Sequence, residues 1–442
     1  MEKLVIIGNG VSGVTVARHV RKNSNMEILI ISSETDYHFS RTALMYIYMG
    51  HMKYEHTKPY EDEFWVKNRI DLKRAFVSEI NSDENKLVLK SGEEIEYSKL
   101  VLATGSQSNK FGWPGQDLPG VQGLFTYQDL ELMEENTKDA NHAILVGGGL
   151  IGVEMAEMLL SRGIKVTFLV RETRFWGNIL PEGESELVRK HAASHGVNFI
   201  FGAELKEIIA GSDGRVNHII TGSGEKIDCQ FVGLSAGVHP NIDLVKDSKV
   251  EIGRGILVND SLETNISNIY AVGDCAEIVV KDGRNRIEPL WYTGKMQAEA
   301  LANTICGNKT EYVRGTWFNS AKFFDIEYQT YGFVGSTNEE ALSSFYWEHE
   351  SNKICIHIVY NTETNVVTGM NVFGIRMRHQ VWQKWLEKDK SLSFCISHLK
   401  SANFDPEFFD QYEPEILNQY NQEFPKNNIS LSPIKWLTKR FA

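Results

Sequence analysis

Glycine recurs at the same three relative positions in two places, Gly8-Asn9-Gly10-Val11-Ser12-Gly13 and Gly147-Gly148-Gly149-Leu150-Ile151-Gly152. The chemistry such spacing serves is the binding of a diphosphate. The first glycine of each set permits a tight turn. The second lets a phosphate come close to the backbone, and the third lets the following helix pack against its sheet. A helix starting there offers unpaired N–H groups to an anion. Glu34 lies 21 residues past Gly13, where a carboxylate can bond both hydroxyls of a ribose. The second set has no acid at the equivalent place near Val170; Arg171, Glu172 and Arg174 follow instead. Arginine pairs with a 2′-phosphate, which favours NADPH, while Glu172 remains able to reach the ribose of NADH.

The neighbouring residues supply the elements these loops need. Lys3-Leu4-Val5-Ile6-Ile7 reads as a buried parallel strand, and Val11, Val14, Ala17 and Val20 form an apolar helix face. Glu27 to Ser32 is the next strand. The pattern recurs as Ala143 to Val146, the glycines, an apolar helix to Leu160, and a strand from Lys165 to Val170. Two such units are an internal duplication of a binding element. They predict one tightly held and one exchangeable nucleotide.

The rest of the composition narrows the class. A chain of 442 residues allows two to four domains at roughly 100–200 residues each. The formal net charge of -12 argues against a general nucleic-acid surface. No run of about 18 apolar residues predicts a membrane span. The strand beginning at Lys3 leaves no room for a leader, so the cytoplasm is expected. Cys229, Cys275, Cys306, Cys355 and Cys395 form no C-x-x-C or C-x-x-x-x-C pair. They predict neither a local redox disulfide nor an iron–sulfur cluster. The histidines form no H-E-x-x-H motif, and no metal site is expected.

Further segments carry a family likeness. These are Val101-Leu102-Ala103-Thr104-Gly105-Ser106, Gly112-Trp113-Pro114-Gly115 with Leu118-Pro119-Gly120-Val121, Val232 to Asn241 including Gly237, and Ile269-Tyr270-Ala271-Val272-Gly273-Asp274-Cys275-Ala276. With the two glycine loops, their order and spacing resemble the FAD-dependent pyridine nucleotide-disulfide oxidoreductase superfamily. The likeness is to the branch without a redox disulfide: ferredoxin and rubredoxin reductases, and the flavin-binding front portion of NADH-dependent nitrite reductases. It covers about residues 1–335.

The resemblance implies an α/β fold with two Rossmann-like dinucleotide-binding domains and a C-terminal α+β domain. FAD would occupy the first site and NAD(P)H the second. The FAD domain would be discontinuous, about 1–110 and 248–320, with the NAD(P) domain inserted at 111–247. The C-terminal domain, 321–442, would lie near the flavin and serve dimerisation in some members. Thr104 and Gly105 belong to the segment that closes on the flavin nucleotide, and Asp274 to the one that bonds the ribityl chain. Arg41 resembles a cation near the pyrimidine end of the flavin, where it would stabilise the reduced ring. Glu154, in the first turn of the second helix, would help to place the nicotinamide. Trp291, in Glu288-Pro289-Leu290-Trp291, is equally a ring-shielding or a core residue. Arg41 and Glu154 are thus the catalytic candidates. The positions past Tyr37 to Leu44 where the disulfide branch places its cysteines hold none.

The last region has a different texture. Strands are predicted at Leu342 to Trp347, Lys353 to Tyr360 and Val366 to Phe373, with a turn at Asn361 to Asn365 and a helix at Gln380 to Leu386. The tail from Ser401 is rich in aromatics and ends Pro433-Ile434-Lys435-Trp436-Leu437-Thr438-Lys439-Arg440-Phe441. It would pack on its own domain, dock a partner or touch an anionic membrane face. The expected activity is hydride transfer from NAD(P)H to FAD, then electron transfer to an external acceptor, such as ferredoxin or rubredoxin. The alternatives are an NAD(P)H oxidase, a quinone reductase, or a flavin-bound redox-sensing or assembly protein.

Overall fold

Strand Lys3–Ile7 is the hub of a five-stranded parallel sheet ordered Ile269–Ala271, Lys99–Leu102, Lys3–Ile7, Glu27–Ser32, Ile70–Arg74. Leu4, Val5, Ile6, Leu100, Val101, Leu102 and Ile269 are all fully buried. That is why the sequence shows continuous apolar runs there rather than alternation. Helix Val11–Asn23 buries Val14, Val16, Ala17 and Val20 and lies beside helix Trp291–Ile305. The computed structural model describes residues 2–280, 283–336, 340–404 and 410–433.

The chain divides into two compact units, Met1–Val166 with Leu205–Arg314, and Thr167–Glu204 with Gly315–Ala442. In the first unit, a second parallel set pairs His142–Val146 with Phe231–Leu234, and Phe231–Leu234 with Val121–Gln122. Helix Leu150–Ser161 follows His142–Val146. The unit thus contains the strand–glycine turn–helix element twice. Two extended segments cross within it: Ser106–Ser108 and Val238–Pro240 pair antiparallel.

The second unit has a five-stranded antiparallel sheet ordered Phe318–Phe323, Ile326–Gly332, Val367–Phe373, Cys355–Asn361, Leu342–Glu348. The three strands read in the sequence and the helix, here His379–Glu387, form at those places. Trp382, Phe345, Ile356 and Met370 make its core with Ile416 and Tyr420 of helix Glu413–Glu423. The tail therefore packs in part on its own unit. Phe408, Phe409 and the final Ile434–Phe441 lie outside the described residues. Among the described residues no helix is long and apolar enough to cross a membrane.

Candidate dinucleotide sites

The two glycine loops are built alike. Gly8 has φ +112° and Gly147 φ +99°, a region that L side chains rarely adopt. A Cβ on Gly8 would lie 2.1 Å from the Ala103 carbonyl oxygen, and one on Gly147 2.9 Å from the Ser235 carbonyl oxygen. In each case the obstacle is the segment leaving the adjacent parallel strand. A Cβ on Gly13 would lie 2.1 Å from the Gly8 carbonyl oxygen. Gly10 and Gly149 are the helix N-caps, with φ/ψ of -68°/-179° and -76°/176°, and neither helix start has a side-chain cap. The first-turn N–H groups are thus left for an anion. Space around Gly10 is open, with no atom within 4 Å of where a Cβ would stand.

The first loop opens into a cavity of about 910 Å³ lined by Gly8, Gly10, Glu34, Arg41, Thr104, Gly105, Gly273 and Asp274, all read from the sequence. That volume lies within the roughly 300–1,000 Å³ of cofactor sites. Asn9, Ser12, Ser106, Lys110 and His239 line it too. The Asn9 side chain donates to the Thr35 carbonyl at 2.9 Å, and His38 Nδ1 lies 2.8 Å from the Asn9 carbonyl. These bonds tie the glycine turn to the segment after the second strand.

Glu34 and Arg41 meet each other in the cavity wall. Arg41 donates to Glu34 Oε1 at 2.8 Å and Oε2 at 2.7 Å, and the Tyr127 N–H donates to Oε1 at 2.8 Å. Arg41 also donates to the Phe125 carbonyl and lies over the Phe125 ring, 4.5 Å from its centroid. A carboxylate has about four lone-pair sites. Three are engaged here, so Glu34 keeps capacity on Oε2 for a ribose hydroxyl.

Asp274 follows strand Ile269–Ala271 at the end of the sheet where ligands bind in open α/β folds. Ser106 Oγ donates to its Oδ2 at 3.0 Å. Burial raises the Asp274 pKa, opposed by the Ser106 hydroxyl and by the Arg41 charge. The turn is fixed by buried Gln297, whose Oε1 accepts from the Gly273 N–H at 2.8 Å. Cys275, next in sequence, is fully buried, and burial raises its pKa. It is a packing thiol rather than a nucleophile.

The Thr104 hydroxyl donates to the Asn241 carbonyl at 2.6 Å. It therefore fastens the outgoing segment to the returning one. Gln107 does the same, donating from Nε2 to Asn241 Oδ1 and Asp243 Oδ2, both at 2.8 Å. Gly237, with φ +87°, sits in the return beside Asn109.

At the second loop, Gly152 is buried in helix Leu150–Ser161 and Glu154 is half-buried in its first turns. Ser235 Oγ lies 3.0 Å from the carbonyls of both Val146 and Gly147, a bond that holds this loop and that no local sequence signal announces. Arg171 and Arg174 belong to the second unit. There Arg171 reaches Glu172 Oε1 at 3.3 Å, and Asn178 donates to the same oxygen at 2.8 Å. Trp291 is 50% exposed at the start of its helix, edge-on to Tyr292, and is not among the residues lining the first cavity.

Residues 2–298 match the family model described as pyridine nucleotide-disulphide oxidoreductase. The chain belongs to this family. It is a flavoprotein oxidoreductase whose cofactors are FAD and NAD(P)H. The cavity residues fit the flavin dinucleotide, since an uncapped helix start faces open space at Gly10 and a buried acid stands at Asp274. The chain is 30% identical over 319 residues to a rubredoxin-NAD(+) reductase of Acinetobacter baylyi, covering 70% of this chain and 80% of that one. It is 29% identical over 404 residues to an NADH oxidase of Methanocaldococcus jannaschii, covering 86% and 89%. In fold it resembles a ferredoxin reductase of Rhodopseudomonas palustris, with TM-score 0.77, 22% identity and coverage of 92% and 96%.

Proposed function

We propose that the chain passes electrons from NAD(P)H to a small redox protein of the rubredoxin or ferredoxin kind. Bound FAD supplies the ring that takes hydride from a nicotinamide and releases electrons onward. The observation that carries the reading is the pair of matching glycine loops in one unit, the first opening on the cavity with Asp274. The names of the rubredoxin and ferredoxin reductases it resembles support a protein acceptor.

In this reading Gly8, Gly10 and Gly13 bring a backbone cradle and a helix start to the FAD diphosphate. Glu34 takes the ribose through Oε2, Asp274 takes the ribityl hydroxyls, and Arg41 supplies a fixed positive charge at the cavity. Thr104, Gly105, Gly237 and Gly273 shape the wall and the crossing segments. Gly147, Gly149 and Gly152 receive the NAD(P)H diphosphate, with Glu154 positioning its nicotinamide. Arg171 and Arg174 favour NADPH; Trp291, half-exposed and outside the lining of the first cavity, is given no role at the flavin. The FAD domain spans 1–110 and 248–320, the NAD(P) domain 111–247 and the C-terminal domain 321–442. Reliance on a nicotinamide pool and five free thiols support a cytoplasmic location.

The test is anaerobic mixing with NADH and with NADPH while flavin absorbance is followed, then reoxidation by rubredoxin, ferredoxin, a quinone and oxygen. Bleaching by one donor and fast reoxidation by a redox protein is the expected result. Unchanged absorbance with both donors ends the reading. Likeness to an NADH oxidase across most of both chains favours a second reading, in which oxygen is the fastest oxidant.

A further inference from the structure

Helix Glu182–Ser194 and the hairpin of strands Phe318–Phe323 and Ile326–Gly332 bring three donor side chains to one point in the second unit. His191 lies on the helix, His195 caps its end, and Asp325 is in the hairpin turn. We infer that His191, His195 and Asp325 form a binding site for a divalent transition-metal ion of the zinc type.

The geometry is that of a chelate. Histidines four apart on a helix present their rings on one face, the spacing that zinc sites use. His191 Nε2 contacts Asp325 Oδ1, and His195 Nε2 lies 3.5 Å from the same oxygen. One donor atom from each residue falls within 4.8 Å of the others. Zinc bonds of about 2.0–2.2 Å need donors of one ion within about 4.4 Å, so a small side-chain adjustment closes the site. An ion there would replace the proton that His191 and Asp325 share. Solvent reaches His195 and Asp325, which leaves an entry path.

The residues behind the donors point the same way. His195 Nδ1 lies 3.0 Å from the His191 carbonyl oxygen. As donor there, Nδ1 keeps the proton and Nε2 presents its lone pair to Asp325. Ligating histidines are commonly oriented by this kind of bond. The His195 ring also stacks on Phe324, with centroids 4.7 Å apart at 20°. Phe324 has φ +56°, at a turn position where glycine is the usual occupant. Its ring is buried, and so the turn presenting Asp325 is locked against the histidine. Lys353 Nζ lies 3.3 Å from Asp325 Oδ2, the oxygen away from the two imidazoles. It competes for the carboxylate without filling the space at Oδ1. Neither glycine loop contributes a donor to it.

The experiment is calorimetric titration of the chelator-stripped, flavin-loaded protein with Zn²⁺, beside a melting curve with and without the ion. One equivalent should bind, and Zn²⁺ should raise the melting temperature. His195→Ala and Asp325→Asn alter solvent-reaching side chains, and each should weaken binding at least tenfold and remove the rise. His218→Ala, at a half-buried position on a strand of the first unit, should change neither. Lys353→Gln should tighten binding several-fold by removing the competing ammonium, which keeps the test decisive should the other two variants misfold. No binding by the parent protein overturns the inference, as does affinity unmoved by all three site variants.

Discussion

Arg41 grips the Glu34 carboxylate with both terminal nitrogens, at 2.8 and 2.7 Å, in the wall of the nucleotide cavity. The sequence assigned these residues to opposite ends of a dinucleotide, but the fold makes them one fork-to-fork pair. A planar guanidinium can hold both carboxylate oxygens while Oε2 keeps a second lone pair, which an ammonium cannot do. Arg41→Lys should therefore weaken FAD retention about tenfold or more, and Arg41→Ala further. Flavin content after gel filtration and equilibrium titration of the apoprotein measure this; full retention in Arg41→Lys would show that only charge matters.

Gly8 and Gly10 separate folding from binding. Gly8→Ala places a Cβ 2.1 Å from a backbone oxygen at φ +112°, and should cost the apoprotein about 2 kcal/mol or more of stability. Gly10 has φ -68° and open space. Gly10→Ala should leave the apoprotein's melting temperature within a degree or two, because surface changes away from strain cost little. It should still impair FAD binding, since the methyl group occupies the diphosphate approach. Equal destabilisation by both changes would contradict this division.

His38 sets a pH dependence. Its imidazole is half-buried beside the glycine turn, and desolvation, aided by Arg41 and Arg18, lowers its pKa to about 4. The folded chain holds it neutral, whereas the unfolded chain protonates it near 6.5. Its stabilising contribution is thus complete above about pH 6.5 and is lost as pH falls toward about 4, amounting to about 3 kcal/mol. His38→Asn should flatten that part of the profile while keeping a donor for the Asn9 carbonyl. Urea unfolding of the apoprotein between pH 4 and 7 reads the difference.

Glu184 is fully buried in the second unit. Its Oε2 accepts from Asn371 at 2.8 Å, and its Oε1 lies 3.1 Å from His357 Nδ1. Removing one partner of a buried polar pair strands the others. Glu184→Ala should lower stability by about 3 kcal/mol, and a paired Glu184→Leu/His357→Leu replacement should recover part of it. Thermal melting of the parent, Glu184→Leu, His357→Leu and the double variant decides; an additive loss in the double variant would rule out the coupling.

Much of this was legible from local pattern. Apolar runs at Lys3–Ile7 and His142–Val146, glycines that alone tolerate φ near +100°, and the alternating strands of the last region each carry their own signal. The turn carrying Asp274 was readable because a glycine and an acid at a strand end form a local motif. The partner of Thr104 was not, since its hydroxyl donates to Asn241, 137 residues away.

What the sequence determined by itself is the kind of ligand: two diphosphate-binding turns, each encoded within a dozen consecutive residues by steric limits on the backbone. What tertiary structure alone decided is which side chains share a proton or a charge. Glu34 with Arg41 is seven residues apart yet depends on the wall at Phe125 and Tyr127; His191 with Asp325 is joined across 134 residues. Spacing along the chain records backbone conformation, whereas hydrogen bonds and metal chelates depend on distances of a few ångströms between segments that only folding brings together.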